Sequence, residues 1–144
     1  MTREDKELLL KDLSARLLYG IKFPMMCWDE ETGETVKPVT LYSINKDGYC
    51  RVSEDDYSPH INEIKPYLFP LSSMTEEQQE EFDRIYADDM QVVASNLKNR
   101  LDGKPYETNL GHYRHIDWLN ANHFDYRGLI PKGLAIDATG LNIY

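Results

Sequence analysis

The sequence has no apolar run long enough to span a membrane. Its first residues, 2–7, are charged and lack the apolar stretch of a secretory leader. It has only two cysteines, Cys27 and Cys50, and they do not form a CxxC pair. Both lie in apolar, strand-like runs, which predicts two buried free thiols rather than a disulfide framework. Together these absences predict a soluble, cytoplasmic protein that does not associate with membranes.

Basic residues are also scarce, because 16 lysines and arginines stand against 25 acidic residues, for a formal net charge of −9 at pH 7. Such a surface repels phosphate backbones, so we expect no direct binding to nucleic acid. The simplest interpretation of the acidity is solubility. The alternative is an acidic nucleic-acid mimic with a carboxylate ridge along one helix, formed by Glu76, Glu77, Glu80, Glu81, Asp83, Asp88 and Asp89.

Motifs of catalysis and cofactor binding are missing as well. The sequence contains no G-x-S-x-G elbow, no phosphate-binding loop, no G-x-G-x-x-G fingerprint and no zinc-ligand spacing. Catalytic groups need not be close in sequence, so these absences favour a non-enzymatic protein without deciding the question. We therefore expect no cofactor.

The residues present are those of a folded α+β protein. The chain is 41% hydrophobic and 11% aromatic, which is too rich in both for a disordered chain. Hydrophobic periodicity predicts a small antiparallel sheet of about three or four strands, curled or half-barrel in shape, packed with about three helices. We expect one domain over residues 1–144, with a helix at 3–19, a sheet within 21–71, a helical part at 75–125 and an extended segment at 129–144.

Capping patterns mark the two longest helices. Thr2 followed by Asp5, and Thr75 followed by Gln78, each match a capping box at a helix start. In the first helix a stripe of leucines that includes Leu18 is predicted to face the core. Whether the pair at residues 88–89 interrupts the second helix is left open by the sequence.

Period-two alternation follows the first helix. Ile21, Phe23 and Met25 would share one face of a strand, and Met26 and Trp28 would share the other. Because both faces are partly apolar, we expect other elements to cover each of them. Residues 64–71 are apolar but contain two prolines, which predicts an edge strand or an extended connector.

One histidine cluster suggests metal chemistry. His112 and His115 are three residues apart and would share a helix face, with Asp117 or Asp125 as a third ligand or base. On a helix, however, Asp117 would point away from the pair. A buried, hydrogen-bonded histidine explains His123 without a metal. The metal site is therefore retained only as an alternative.

A set of tyrosines suggests a recognition surface. Tyr42, Tyr49, Tyr57 and Tyr67 fall in or near the predicted sheet. Tyrosine contributes a large contact area at a low cost in side-chain entropy. The competing interpretation places them at the margin of the core with their hydroxyl groups in solvent.

Three stretches together carry a resemblance to a known family: KDLSARLLYG at residues 11–20, IKPYLFPLSSMT at 64–75 and WLNANHFDYRGLI at 118–130. In that order they resemble a family of short uncharacterised proteins of gut anaerobic bacteria and their phages. The family has no assigned activity, so the resemblance implies no catalytic residue. It implies a bacterial cytoplasm and a prophage or mobile-element origin.

The leading hypothesis is a non-enzymatic accessory protein that binds a protein partner. One alternative is a small metal-assisted enzyme that uses His112 and His115, and the other is the acidic nucleic-acid mimic. The sequence does not identify the partner or the oligomeric state.

Overall fold

The computed structural model describes residues 1–52, 58–103 and 113–144. Within these ranges three α-helices accompany a three-stranded antiparallel sheet and a three-stranded parallel sheet. The fold class is α+β, as predicted. The chain divides into two compact units, which we call unit 1 (Met1–Ser73 with His123–Tyr144) and unit 2 (Met74–Asn122).

Helix α1 spans Arg3–Arg16 in unit 1 and begins with the predicted capping box. The hydroxyl of Thr2 accepts from the backbone N–H of Asp5, and the Asp5 carboxylate accepts from that of Thr2. The prediction for Leu18 is wrong, because this side chain is 93% exposed. After Arg16 the chain tightens into a 3₁₀ turn. Its three residues per turn rotate Leu18 away from the buried side of α1.

The antiparallel sheet contains β1 (Lys22–Asp29), β2 (Gly33–Ile44) and β3 (Cys50–Val52), in that order. The turn between β1 and β2 is closed by the Asp29 carboxylate, which accepts from the backbone N–H groups of Glu31 and Thr32. Gly33 ends this turn at a φ of +78°, a backbone conformation that favours glycine.

The parallel sheet places β4 (Tyr67–Pro70) between β5 (Phe124–Asp125) and β6 (Ile136–Asp137). The proline-rich segment is therefore a central strand, and the predicted edge position is wrong. The Pro66 carbonyl accepts a hydrogen bond from the backbone N–H of Ile136. This bond does not require an N–H on Pro66. Since each neighbour is only two residues long, few donors are needed from β4.

The apolar core lies in unit 1. Both cysteines are free, with Cys50 buried and Cys27 half-buried. The core residues share near-complete burial and come from α1, both sheets and the C-terminal segment: Leu9, Leu13, Ile21, Phe23, Met25, Val39, Leu41, Cys50, Val52, Ile61, Ile64, Leu68, Leu129, Leu134 and Ala135.

Unit 2 contains α2 (Glu76–Leu101) and α3 (Arg114–Ala121). The predicted capping box is present, because the backbone N–H of Thr75 donates to Gln78 Oε1 and that of Gln78 donates to Thr75 Oγ1. The helix continues through residues 88–89 without a break. Among the residues described, no helix is both long and apolar enough to cross a membrane.

Candidate interaction surface

Three large apolar side chains are exposed on one face of the β1–β2 hairpin. Met26 and Val36 lie directly opposite each other, and Trp28 is two residues further along β1. Their exposed fractions are 57% for Met26, 58% for Val36 and 75% for Trp28. Side chains two positions apart along a strand point to the same side, and opposite pairs across an antiparallel ladder touch. We call these three residues the hairpin surface.

The outer face of the hairpin is exposed to solvent at these three residues, and β3 pairs with only one end of β2. The β2–β3 pairs run from Leu41 to Ile44, and a bulge at Tyr42 interrupts them. Residues 25–37 therefore form a two-stranded ribbon. The inner face buries Phe23 and Met25, whereas Met26 and Trp28 are exposed on the outer face. The prediction that something covers both faces is wrong for this ribbon.

The tip of the hairpin is acidic. The Asp29 carboxylate is held within the turn and lies 3.4 Å from the Lys37 ammonium. Hydrogen bonds from the Glu31 backbone and the Lys37 side chain lower the pKa of Asp29. Glu30 and Glu31 are exposed in the same turn, and Glu34 is exposed at the start of β2, opposite Trp28. The hairpin surface is therefore bordered by carboxylates.

The described tyrosines of the predicted set have different surroundings. Tyr42 is exposed at the bulge near the far end of β2 from the hairpin turn. Tyr49 packs edge-on against the His60 ring, 5.1 Å between centroids, and lines a 220 Å³ surface pocket with Arg51. Tyr67 is half-buried in β4. Tyr57 lies outside the described residues.

The described residues of the predicted histidine cluster have partners other than a metal ion. His112 lies outside the described residues, and His115 pairs with Asp89 of α2. The His115 Nδ1 lies 2.5 Å from Asp89 Oδ2, and the backbone N–H of His115 donates to the same oxygen at 2.9 Å. Burial would raise the pKa of Asp89, but these hydrogen bonds and the Arg114 charge hold it below its ordinary value. Asp89 thus acts as the cap of α3.

The two candidate aspartates have other surroundings. Asp117 lies in α3 of unit 2, whereas Asp125 lies in β5 of unit 1. The carboxylate oxygens of Asp125 accept from the backbone N–H groups of Leu129 and Ile130, each at 2.8 Å. Within the described ranges no three histidine, cysteine or acidic side chains form a group that would hold a metal ion.

A buried polar network in unit 1 was not foreseen from the sequence. Arg16 and Asp12 are both fully buried, with Arg16 Nε 2.8 Å from Asp12 Oδ2, and Arg16 Nη2 donates to the Phe124 carbonyl at 2.6 Å. Arg127 Nε lies 3.3 Å from Asp12 Oδ1. One carboxylate thus serves two guanidinium groups. The i, i+4 spacing of Asp12 and Arg16 predicts an ion pair, but on its own it also fits a pair exposed to solvent.

His123 lies beside this network. Its φ is +61°, and its ring stacks on Tyr144 with centroids 3.6 Å apart. Burial, together with the charges of Arg16 and Lys22, lowers the pKa of His123 to about 4. Burial raises the pKa of Tyr144 to about 12, and its hydroxyl donates to the Tyr67 carbonyl. These groups join the C-terminal segment to β4 and β1, as expected for a structural role.

No protein-family model, curated protein or solved structure matches this chain. The family resemblance of residues 11–20, 64–75 and 118–130 therefore stays a prediction. The interpretation of the candidate surface depends on the chemistry of the described residues alone.

Proposed function

We propose that this chain is a non-enzymatic, cytoplasmic protein-interaction protein, and that the hairpin surface is its contact site. The observation that carries the proposal is the three-quarters exposure of Trp28 beside the exposed Met26–Val36 pair. Tryptophan is strongly enriched among the residues that dominate binding energy. Clustered exposed apolar side chains are typical of binding sites, whereas isolated ones are not.

A partner that covers the hairpin surface removes the apolar area of its three side chains from water, which is favourable. Covering a methionine or valine side chain contributes roughly 1.5–3 kcal/mol, and tryptophan has a larger area. The hairpin backbone is already ordered by the β1–β2 ladder. Binding therefore orders mainly three side chains, which limits the entropic cost of association.

The charge around the hairpin surface favours a partner with cationic residues. Glu30, Glu31 and Glu34 are exposed at its border, so a partner that places lysine or arginine there gains both attraction and a faster encounter. An arginine of the partner also suits the face of Trp28 through a cation–π contact. Two copies of this hairpin would bring like charges together. The occupant we propose is a different protein with an apolar groove flanked by cationic residues.

The other hypotheses have less support. For a metal-assisted enzyme, His115 is held by Asp89, and Asp125 accepts two backbone hydrogen bonds. For a nucleic-acid mimic, the carboxylates of α2 end at Asp89, and residues 90–101 contain no acid. A prophage or mobile-element origin, implied by the family resemblance, fits a protein that acts by binding a host or phage protein.

The test compares two single variants in affinity purification from the cells that make the protein. Trp28→Ser removes the central side chain of the hairpin surface. Leu18→Ser is the matched control, because Leu18 is an exposed apolar residue outside the hairpin. We expect a stoichiometric basic partner with the wild type and with Leu18→Ser, and about tenfold or greater loss with Trp28→Ser. Equal recovery by all three would exclude the hairpin surface as the contact site.

A further inference from the structure

A second exposed apolar surface runs along α2. It contains Tyr86, Met90, Val93, Leu97 and Leu101, which we call the α2 stripe. At about 100° per residue these five positions occupy roughly 80° of the helix circumference. Leu97 is 57% exposed and Leu101 is 79% exposed, while Met90 is half-buried.

Helix α3 covers a different part of α2. Among the described residues, its ring and polar contacts with α2 include Phe82 with Trp118 and Asp89 with His115, and the Tyr86 ring of the stripe lies against the His115 ring. With eight residues, α3 is much shorter than the 26-residue α2. The second half of the stripe is therefore left exposed to solvent.

Four of the five stripe residues are placed symmetrically along α2. Around the peptide bond between Val93 and Ala94, Met90 is placed as far to one side as Leu97 is to the other. Tyr86 and Leu101 are related in the same way. Two copies of α2 that pair antiparallel about this point would bring Met90 onto Leu97 and Tyr86 onto Leu101. This is the self-complementary contact that a two-fold dimer requires.

The charges on α2 favour the same arrangement. Seven acidic residues lie between Glu76 and Asp89, whereas residues 90–101 have none and include Lys98. Antiparallel pairing sends the two acidic halves to opposite ends and brings the end of α2 that carries Lys98 level with the residues around Asp89 of the second copy. Parallel pairing would stack acid on acid, which is destabilising.

We propose that α2 pairs antiparallel with α2 of a second copy of this chain, with the α2 stripe as the contact. Among the described residues of unit 2, Leu119 is the one fully buried apolar residue. The pairing would cover apolar side chains of α2 that are otherwise exposed. A helix with an apolar stripe gains most of its stability by burying that stripe. The surface is separate from the hairpin surface, so either proposal can fail without the other.

The oligomeric state is the first measurement. Light scattering with size exclusion should give twice the 16.8 kDa chain mass at concentrations up to about 100 µM. Leu97→Glu should raise the dimer dissociation constant by about tenfold or more. Leu18→Glu, a charge placed at an exposed leucine outside α2, should leave it unchanged, as should Trp28→Ser. A wild-type monomer over this range would overturn the proposal.

Disulfide cross-linking tests the direction of the helices and does not depend on a disruptive variant. Cys27→Ala serves as background, because burial raises the pKa of the remaining Cys50 thiol to about 11 and suppresses its reactivity. Val93→Cys should cross-link to itself under mild oxidation. Leu101→Cys should cross-link to Tyr86→Cys in a mixture but not to itself. Self-linked Leu101→Cys would indicate a parallel dimer and contradict the proposal.

Discussion

The two compact units differ in what they bury. The hydrophobic core cluster lies wholly within unit 1 and joins α1 to both sheets. Among the described residues of unit 2, one apolar residue is fully buried, Leu119. Three polar residues are also buried: Asp89, Asn96 and Asn120. Apolar burial is the main favourable term in folding. Unit 1 therefore has an apolar core, whereas the fully buried side chains among the described residues of unit 2 are mostly polar.

The largest effect is expected from a substitution that breaks the buried polar network of unit 1. Asp12→Ala leaves Arg16 buried without its carboxylate, which should lower the free energy of unfolding by about 3–5 kcal/mol. Urea denaturation followed by circular dichroism measures it. The control is Glu7→Ala, which removes an exposed pair with Arg3 and should change stability by less than about 0.5 kcal/mol. An Asp12→Ala loss as small as the control would show that the network adds little to unit 1.

A second prediction concerns pH. His123 has a folded-state pKa of about 4, so the unfolded chain takes up a proton near its ordinary value while the folded chain stays neutral. Stability is therefore full above the ordinary value and falls as the pH drops. Between pH 7 and pH 5 the loss from this group should be about 2 kcal/mol.

His123→Asn isolates that contribution. Asparagine tolerates the positive φ at this position and does not titrate. The urea midpoint of the variant should therefore change less between pH 7 and pH 5 than that of the wild type. Identical pH profiles would show that His123 is not the group responsible.

The third prediction concerns a substitution that should lower the stability of unit 2 alone. Asp89→Ala removes the acceptor of the His115 backbone N–H and ring, which should cost about 1–2 kcal/mol. Amide hydrogen exchange should accelerate at Leu119 in α3 and stay unchanged at Leu13 in α1. Asp88→Ala, an exposed neighbour, is the control. Faster exchange at Leu13 would mean that the two units do not differ in this way.

The smallest expected effect is the change in the free energy of unfolding when Trp28 of the hairpin surface is replaced. Trp28→Ser should change the free energy of unfolding by less than about 0.5 kcal/mol, because the side chain is mostly in solvent. Phe23→Ala, on the buried face of the same strand, should cost about 3–5 kcal/mol. Urea denaturation of both variants measures the contrast. Similar losses would show that Trp28 contributes to the core.

Local signals in the sequence predicted the elements well. The capping boxes at Thr2 and Thr75 set the starts of both long helices, and alternation assigned Phe23 and Trp28 to opposite faces of β1. These features depend on neighbouring residues, so spacing reveals them. The α+β class follows from the same periodicities.

Contacts between distant residues could not be predicted in this way. Pairing of Asp89 with His115, or of Asp12 with Arg127, depends on how separate elements meet. Alternation also could not show whether the outer face of the hairpin is covered, because that depends on whether another element packs against that face. The composition favoured a recognition surface of tyrosines, whereas the most exposed apolar side chain of the ribbon is Trp28.

Site-specific cross-linking of the hairpin surface tests the central claim most directly. A photo-reactive amino acid at position 26 should give one major adduct with a basic partner protein in the cells that make this chain, and the same group at position 18 should give none. The adduct should disappear when Trp28→Ser is added. No adduct at position 26, or equal adducts at both positions, would contradict the proposal that this face of the hairpin is where the protein binds its partner.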